Sequence, residues 1–184
     1  MFDNVAMTNS TRPAWLLAAT ALVGTHEAAG AANNSMILGW GKHLGVKVLG
    51  MAYNADSVPW CGLFVAQALA AGGIDLAAKG FNSMRVAVRA KAWATWGANL
   101  HPDRLAPGAI LVFDRAGGGH VAFYLGEDAT EYHVLGGNQG DKVSIMRIEK
   151  SRLVASRWPK GVPVVGGPVH MTTTTGVPLS RNEA

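Results

Sequence analysis

Asp56-Ser57-Val58-Pro59-Trp60-Cys61-Gly62-Leu63-Phe64-Val65-Ala66-Gln67 holds the only cysteine of the 184-residue chain. Pro59 cannot continue a helix that begins before it, but its ring suits a first turn, and the apolar run from Leu63 through Ala70 has helical spacing. The stretch therefore predicts a helix that starts beside Cys61 and ends near Gly72-Gly73. At such a start, unpaired N–H groups and the positive end of the helix dipole favour an anion. For a cysteine that anion is the thiolate, the form that attacks carbonyl carbon. A lone cysteine is also a common small core residue, so position alone leaves both readings open.

Towards the N-terminus, residues 1–13 are polar and form a flexible lead-in that ends at Arg12-Pro13, before a helix expected from Ala14 to about Thr25. Arg12, the apolar run that follows and the small residues Ala28 to Ala32 imitate a secretory signal. A long leading region with Asp3, and Trp15 at the start of the run, favour an ordinary first helix. The run is also shorter than the roughly 18 residues that a membrane span needs. His26-Glu27-Ala28-Ala29-Gly30 lacks the second histidine of the helical zinc motif H-E-x-x-H, which excludes that metal site. Asn33-Asn34-Ser35 supplies caps for a second helix, expected to stop at Gly45.

Downstream of the cysteine helix, a further helix is expected from about Asn82 to Trp96. Arg85, Arg89 and Lys91 interleave there with Trp93 and Trp96; the tryptophans pack inward under arginine stems on the simpler reading, and form a basic aromatic face on the other. From Pro107 the period changes. Ala109 to Phe113, His120 to Leu125, Tyr132 to Leu135 and Lys142 to Ile148 read as short strands whose gaps suit antiparallel pairing. Helices first and strands after define an α+β fold, with N-terminal helices packed on an antiparallel β-sheet. The organisation expected is a lead-in at 1–13, one domain over 14–159 and an extended or disordered tail at 160–184, rich in proline, glycine and threonine.

Composition bounds the function. With 49% hydrophobic and 15% charged residues the chain suits a globular core. One cysteine excludes an intramolecular disulfide. The net charge of +4 is a mild excess without a dense Lys/Arg run, which argues against nucleic acid as partner. Leu135-Gly136-Gly137-Asn138-Gln139-Gly140 lacks the G-x-G-x-x-G and Walker patterns, so a phosphate cradle is not expected.

A thiol cleaves amides usefully when a base takes its proton and a third polar group holds that base in one orientation and tautomer. His120 is the candidate base: it follows Gly117-Gly118-Gly119 and begins an apolar strand, which would present its ring at a rigid sheet end. A lone strand histidine is otherwise more often structural.

The blocks Pro59-Trp60-Cys61, Pro107 to Phe113, Gly119-His120-Val121 to Gly126, Leu135-Gly136-Gly137-Asn138-Gln139 and Arg157-Trp158-Pro159 resemble, in matching order, the papain-like bacterial and phage cell-wall cysteine peptidases. Within that superfamily, which includes the NlpC and CHAP groups, the chain looks most like the phage-associated branch. The resemblance implies a papain-like fold and hydrolysis of amide bonds in peptidoglycan stem peptides, as in an endolysin, with Cys61 as nucleophile and His120 as general base. Asn138 matches the family's third polar residue, and a neutral amide accepts an imidazole N–H at less burial cost than a carboxylate. His133 is the rival, near where NlpC relatives carry a second histidine. Strand alternation puts the two on opposite faces if the strand runs unbroken, which selects Asn138.

Tyr53, Asp56 and Gln139 are polar candidates for orientation or substrate contact. Trp60 either walls the cleft or fills the core. The papain pattern C-G-S-C-W and the D-C-S-G of many NlpC relatives are absent. No cofactor is implied, and no cluster of cysteine, histidine and carboxylate has metal-ligand spacing; a monomer without stable membrane insertion is expected. Such a protein would be made in the cytoplasm and act on the wall, aided by a pore-forming holin or a delivery particle. A non-catalytic wall-binding module and an antibacterial effector with the same chemistry are the alternatives.

Overall fold

The computed structural model describes residues 12–82, 84–171 and 177–180. Its helices α1 (Ala14–Ala21), α2 (Ser35–Leu49) and α3 (Cys61–Ala71) precede six strands: β1 (Ala98–Asn99), β2 (Ile110–Arg115), β3 (Gly118–Glu127), β4 (Glu131–Gly136), β5 (Ser144–Glu149) and β6 (Leu153–Trp158). The strands form one antiparallel sheet in the order β1-β6-β2-β3-β4-β5, so the chain is α+β.

The cysteine helix lies at the centre. Every residue from Cys61 to Ala66 is buried, with Ala68 and Leu69. This explains why its sequence is an apolar run rather than a one-sided stripe: α1, α2 and β3 all pack against it. Phe64 meets Phe123 of β3 edge to face at 6.1 Å, and Trp40 of α2 lies 6.1 Å from Trp60. Trp15 of α1 packs edge-on against Trp158 at the end of β6. Aromatic pairs at these separations add about 0.5–1.5 kcal/mol each beyond the area they bury.

The start of α2 matches expectation: the Asn34 side chain accepts from the Met36 and Ile37 N–H groups. Its end does not. Gly45 takes a positive φ of 74° and kinks the helix, which resumes and closes at Gly50, also left-handed at φ 82°. Glycine adopts that region without steric cost, so a predicted stop became a bend.

The helix expected from Asn82 to Trp96 is largely absent, and only Ala90–Thr95 coils, as a 3-10 turn. Partners outside a helical ladder take the backbone of Ala87 instead. The Ala87 N–H donates to the Val48 carbonyl at 2.8 Å, and the Trp93 indole donates to the Ala87 carbonyl at 2.9 Å. Trp93 and Trp96 are fully buried with Phe81, so they face inward as the simpler reading held.

β1 and β6 were not anticipated. β6 completes the sheet beside β2, with an irregular register between Val112 and Phe113. Beyond it, the residues described within 160–184 are tied down. Glu127 donates its N–H to Val169 and accepts from Met171, and Arg147 donates to Pro178 and accepts from Ser180. Residues 1–11 of the expected lead-in fall outside the described residues. Among the described residues no helix is long and apolar enough to cross a membrane.

Candidate active site

Cys61 is the first residue of α3, and its N-cap, Trp60, makes no side-chain capping bond. The N–H groups of the first turn are thus not taken up by a side chain of the cap residue. Three backbone amides act on the sulfur: those of Val121, Gly62 and Cys61 itself. Val121 follows His120 in β3, so the sheet brings the sulfur beside the strand that carries the histidine.

The sulfur occupies a notch in the sheet. Tyr124 exchanges its bonds with Gly108 and Ala109, towards β2, and alternation turns the amides of Val121 and Phe123 towards β4. The β3–β4 register pairs Phe123 with Leu135, and its continuation would set Gly137 opposite Val121. β4 ends one residue earlier, at Gly136.

Cys61 is only 6% exposed, yet it lines a cleft of about 360 Å³ together with Val58, Pro59, Arg89, Lys91 and Gly119. Burial pushes the thiol up, while the three amides and the Arg115 charge pull it down, and burial prevails. The helix start thus favours the thiolate against the push of burial.

His120 is 1% exposed, and its Nε2 lies 3.0 Å from Gln139 Oε1. The Gln139 amide has a fixed orientation because its Nε2 donates to the Ser144 carbonyl at 2.6 Å. Oε1 then faces the ring as an acceptor, and His120 Nε2 must carry the proton. In the neutral ring Nδ1 is the basic nitrogen.

Asn138 does not hold His120. It adopts a left-handed φ of 57°, and its buried Oδ1 has no hydrogen-bond partner among the described residues. The parity that favoured it assumed an unbroken strand, whereas β4 stops and the chain turns. The turn closes with the Gln139 N–H on the Lys142 carbonyl at 2.9 Å, and it sends the Gln139 side chain back over Gly136. A β-carbon on Gly136 would lie 2.5 Å from Gln139 Oε1, so the missing side chain at Gly136 makes room for the amide.

His133 is not brought to the site either. Its Nε2 pairs with Asp128 Oδ2 at 2.8 Å, and both groups are buried. Burial alone would raise the Asp128 carboxyl, but the bonds from His133 and from the Glu131 and Thr130 amides hold it well below the usual carboxylate range.

The other candidates have structural partners. Asp56 Oδ2 accepts from the Ala28 and Asn34 N–H groups at 2.9 and 2.7 Å, and fastens residues 28–34 to the loop before the cysteine. Tyr53 donates its hydroxyl to the Val58 carbonyl, bracing the same loop, and burial raises its phenol. Trp60 is fully buried, so of its two readings the core role holds. Its indole donates to Glu27 Oε1 at 2.8 Å. Burial raises the Glu27 carboxyl, and the Trp60 bond only partly offsets this.

Sequence reading missed the Val121 amide, which no residue type announces, and the charge of Arg115 at the end of β2. No protein-family model matches the chain, and no curated protein matches its sequence.

Proposed function

We propose that the chain is a cysteine hydrolase of the papain-like kind that cleaves amides by acyl transfer through Cys61. More particularly, it is an endolysin-like peptidoglycan hydrolase that cuts within the stem peptide. What supports the reading is a cysteine at a helix start whose sulfur is acted on by the amide of Val121, the residue after His120, together with a side-chain amide that fixes the histidine's tautomer.

In this reading His120 takes the thiol proton and the sulfur bonds to the carbonyl carbon. The oxyanion so formed is stabilised by N–H groups at the start of α3. Its collapse breaks the C–N bond and the leaving amine takes the proton from His120. Water, deprotonated by the same ring, then opens the thioester and restores the thiol. Gln139 keeps Nε2 protonated throughout, so that one nitrogen performs both transfers. The upward push of burial on Cys61 makes proton removal by His120 a requirement rather than an assistance.

That same burial supports a second reading, a module that binds wall without cleaving it. Purified sacculi separate the two. Wild-type protein should release peptide fragments with new amino termini, detected by mass spectrometry, while Cys61→Ala and His120→Ala bind sacculi and release none. Release of nothing by the wild type, with binding intact, would leave the module; fragments cut between muramic acid and alanine would make it an amidase.

A further inference from the structure

We propose that Arg89 binds a free carboxylate of the substrate, so that the site selects stem peptides bearing an acid rather than an amide beside the scissile bond. The substrate class rests on the hydrolase reading above; the anion site rests on the following geometry.

The cleft that exposes Cys61 does not end at the sulfur. A neighbouring cavity of about 210 Å³ is lined by Gly50, Met51, Met84, Val86, Val88 and Arg89. Met51, Val88 and Arg89 belong to the walls of both cavities. Together they form a groove that leaves the thiol, passes Arg89 and continues towards Met84. An extended peptide advances about 3.3 Å per residue, so such a groove suits a chain rather than a compact metabolite.

Among the described residues no aspartate or glutamate lines either cavity. Of the two cations in the walls, Lys91 is engaged, with Nζ 2.7 Å from Asp114. Arg89 has no hydrogen bond or ion pair through its side chain among the described residues. It is an uncommitted guanidinium in a groove lined by no acidic side chain among the described residues, and its planar fork matches a carboxylate with two parallel bonds.

Its backbone is fixed relative to the sulfur. Arg89 donates its N–H to the Val86 carbonyl at 3.2 Å and precedes the 3-10 turn Ala90–Thr95. The Val88 carbonyl packs on Gly62, the residue after Cys61, so closely that a β-carbon there would lie 2.7 Å from it. Gly62 is thus the contact through which the Arg89 segment and the nucleophile hold a constant spacing, and a specificity contact needs that rigidity.

Two synthetic stem peptides that differ only in a carboxylate or a carboxamide on the residue next to the cleaved amide test the assignment. Cleavage is read as kcat/KM, and binding as Kd on the uncleaving Cys61→Ala variant. A charge-assisted bond predicts a preference for the acid of about tenfold or more, smaller at high salt because Arg89 is exposed. Arg89→Gln should remove the preference by weakening only the acid peptide, and Arg89→Lys should keep part of it; circular dichroism verifies that both variants fold. Equal Kd for acid and amide, or an equal loss for both in Arg89→Gln, overturns the proposal. Should the wild type cleave neither peptide while the acid still binds more tightly through Arg89, the hydrolase reading falls and the carboxylate site stands.

Discussion

Gln139 Oε1 meets His120 Nε2 at 3.0 Å, across 19 residues of sequence, and the amide that makes this contact is itself fixed by the Ser144 carbonyl. Gln139→Ala removes both bonds and frees the ring to take the other tautomer. Turnover of peptidoglycan peptides should fall on the order of a hundredfold in kcat with KM little changed. Thermal unfolding should show a loss of about 1–3 kcal/mol from the unpaired buried groups. An unchanged kcat would remove Gln139 from the mechanism.

The adjacent glycines should respond differently to the same substitution. In Gly136→Ala the new methyl meets the end of the buried Gln139 side chain and displaces its amide, so activity should drop, with a stability loss comparable to that of Gln139→Ala. In Gly137→Ala it would lie 2.5 Å from Phe64 Cβ and 2.8 Å from Trp60 Cζ3, both in packed core. Overpacking there should cost about 1–3 kcal/mol. Paired melting curves and sacculus assays distinguish a displaced amide from a strained core.

Alkylation by iodoacetamide tests the state of the nucleophile. Because burial prevails over the amides and Arg115, the rate at Cys61 should climb with pH to a midpoint above the ordinary thiol value of 9.0, with no plateau near neutrality. Arg115→Gln withdraws a positive charge that favours the thiolate, so its midpoint should move higher still. A flat rate from pH 5 to 8 would show a resting thiolate–imidazolium pair instead.

Asp128 should govern acid stability. Its carboxyl titrates lower in the folded chain than in the unfolded one, so its contribution is complete above the unfolded value of about 3.8 and is lost as pH falls towards the folded one. Asp128→Asn should be less stable at pH 7, by about 2 kcal/mol for a lost charge-assisted bond, and should show a shallower decline below pH 4. Denaturant midpoints measured across pH 2–7 check both the sign and the window.

The α+β class, the helix that begins at Cys61 and four of the strands were legible because apolar periodicity and glycine or proline punctuation report local preference. The segment 82–89 was not, since the Val48 carbonyl, far away in sequence, and the Trp93 indole, six residues on, claim the backbone of Ala87. β6 escaped notice because Leu153-Val154-Ala155-Ser156-Arg157-Trp158 has only half a strand's apolar pattern; it became a strand by pairing with β2. At the site, the helix start at Cys61 and the strand that carries His120 were legible from residue type and position. The choice between Asn138 and Gln139 turned on where β4 ends, and one turn of chain reversed the parity on which Asn138 rested.

The early end of β4 gives Cys61 an unusual dependence. Its sulfur stands where the next rung of hydrogen bonding would otherwise fall, so the proposed nucleophile borrows its address from strand alignment. Lengthening β4 by a single paired residue would satisfy the Val121 amide and leave the thiol without a seat. Insertions that preserve every side chain named above could therefore silence the protein while leaving it fully folded.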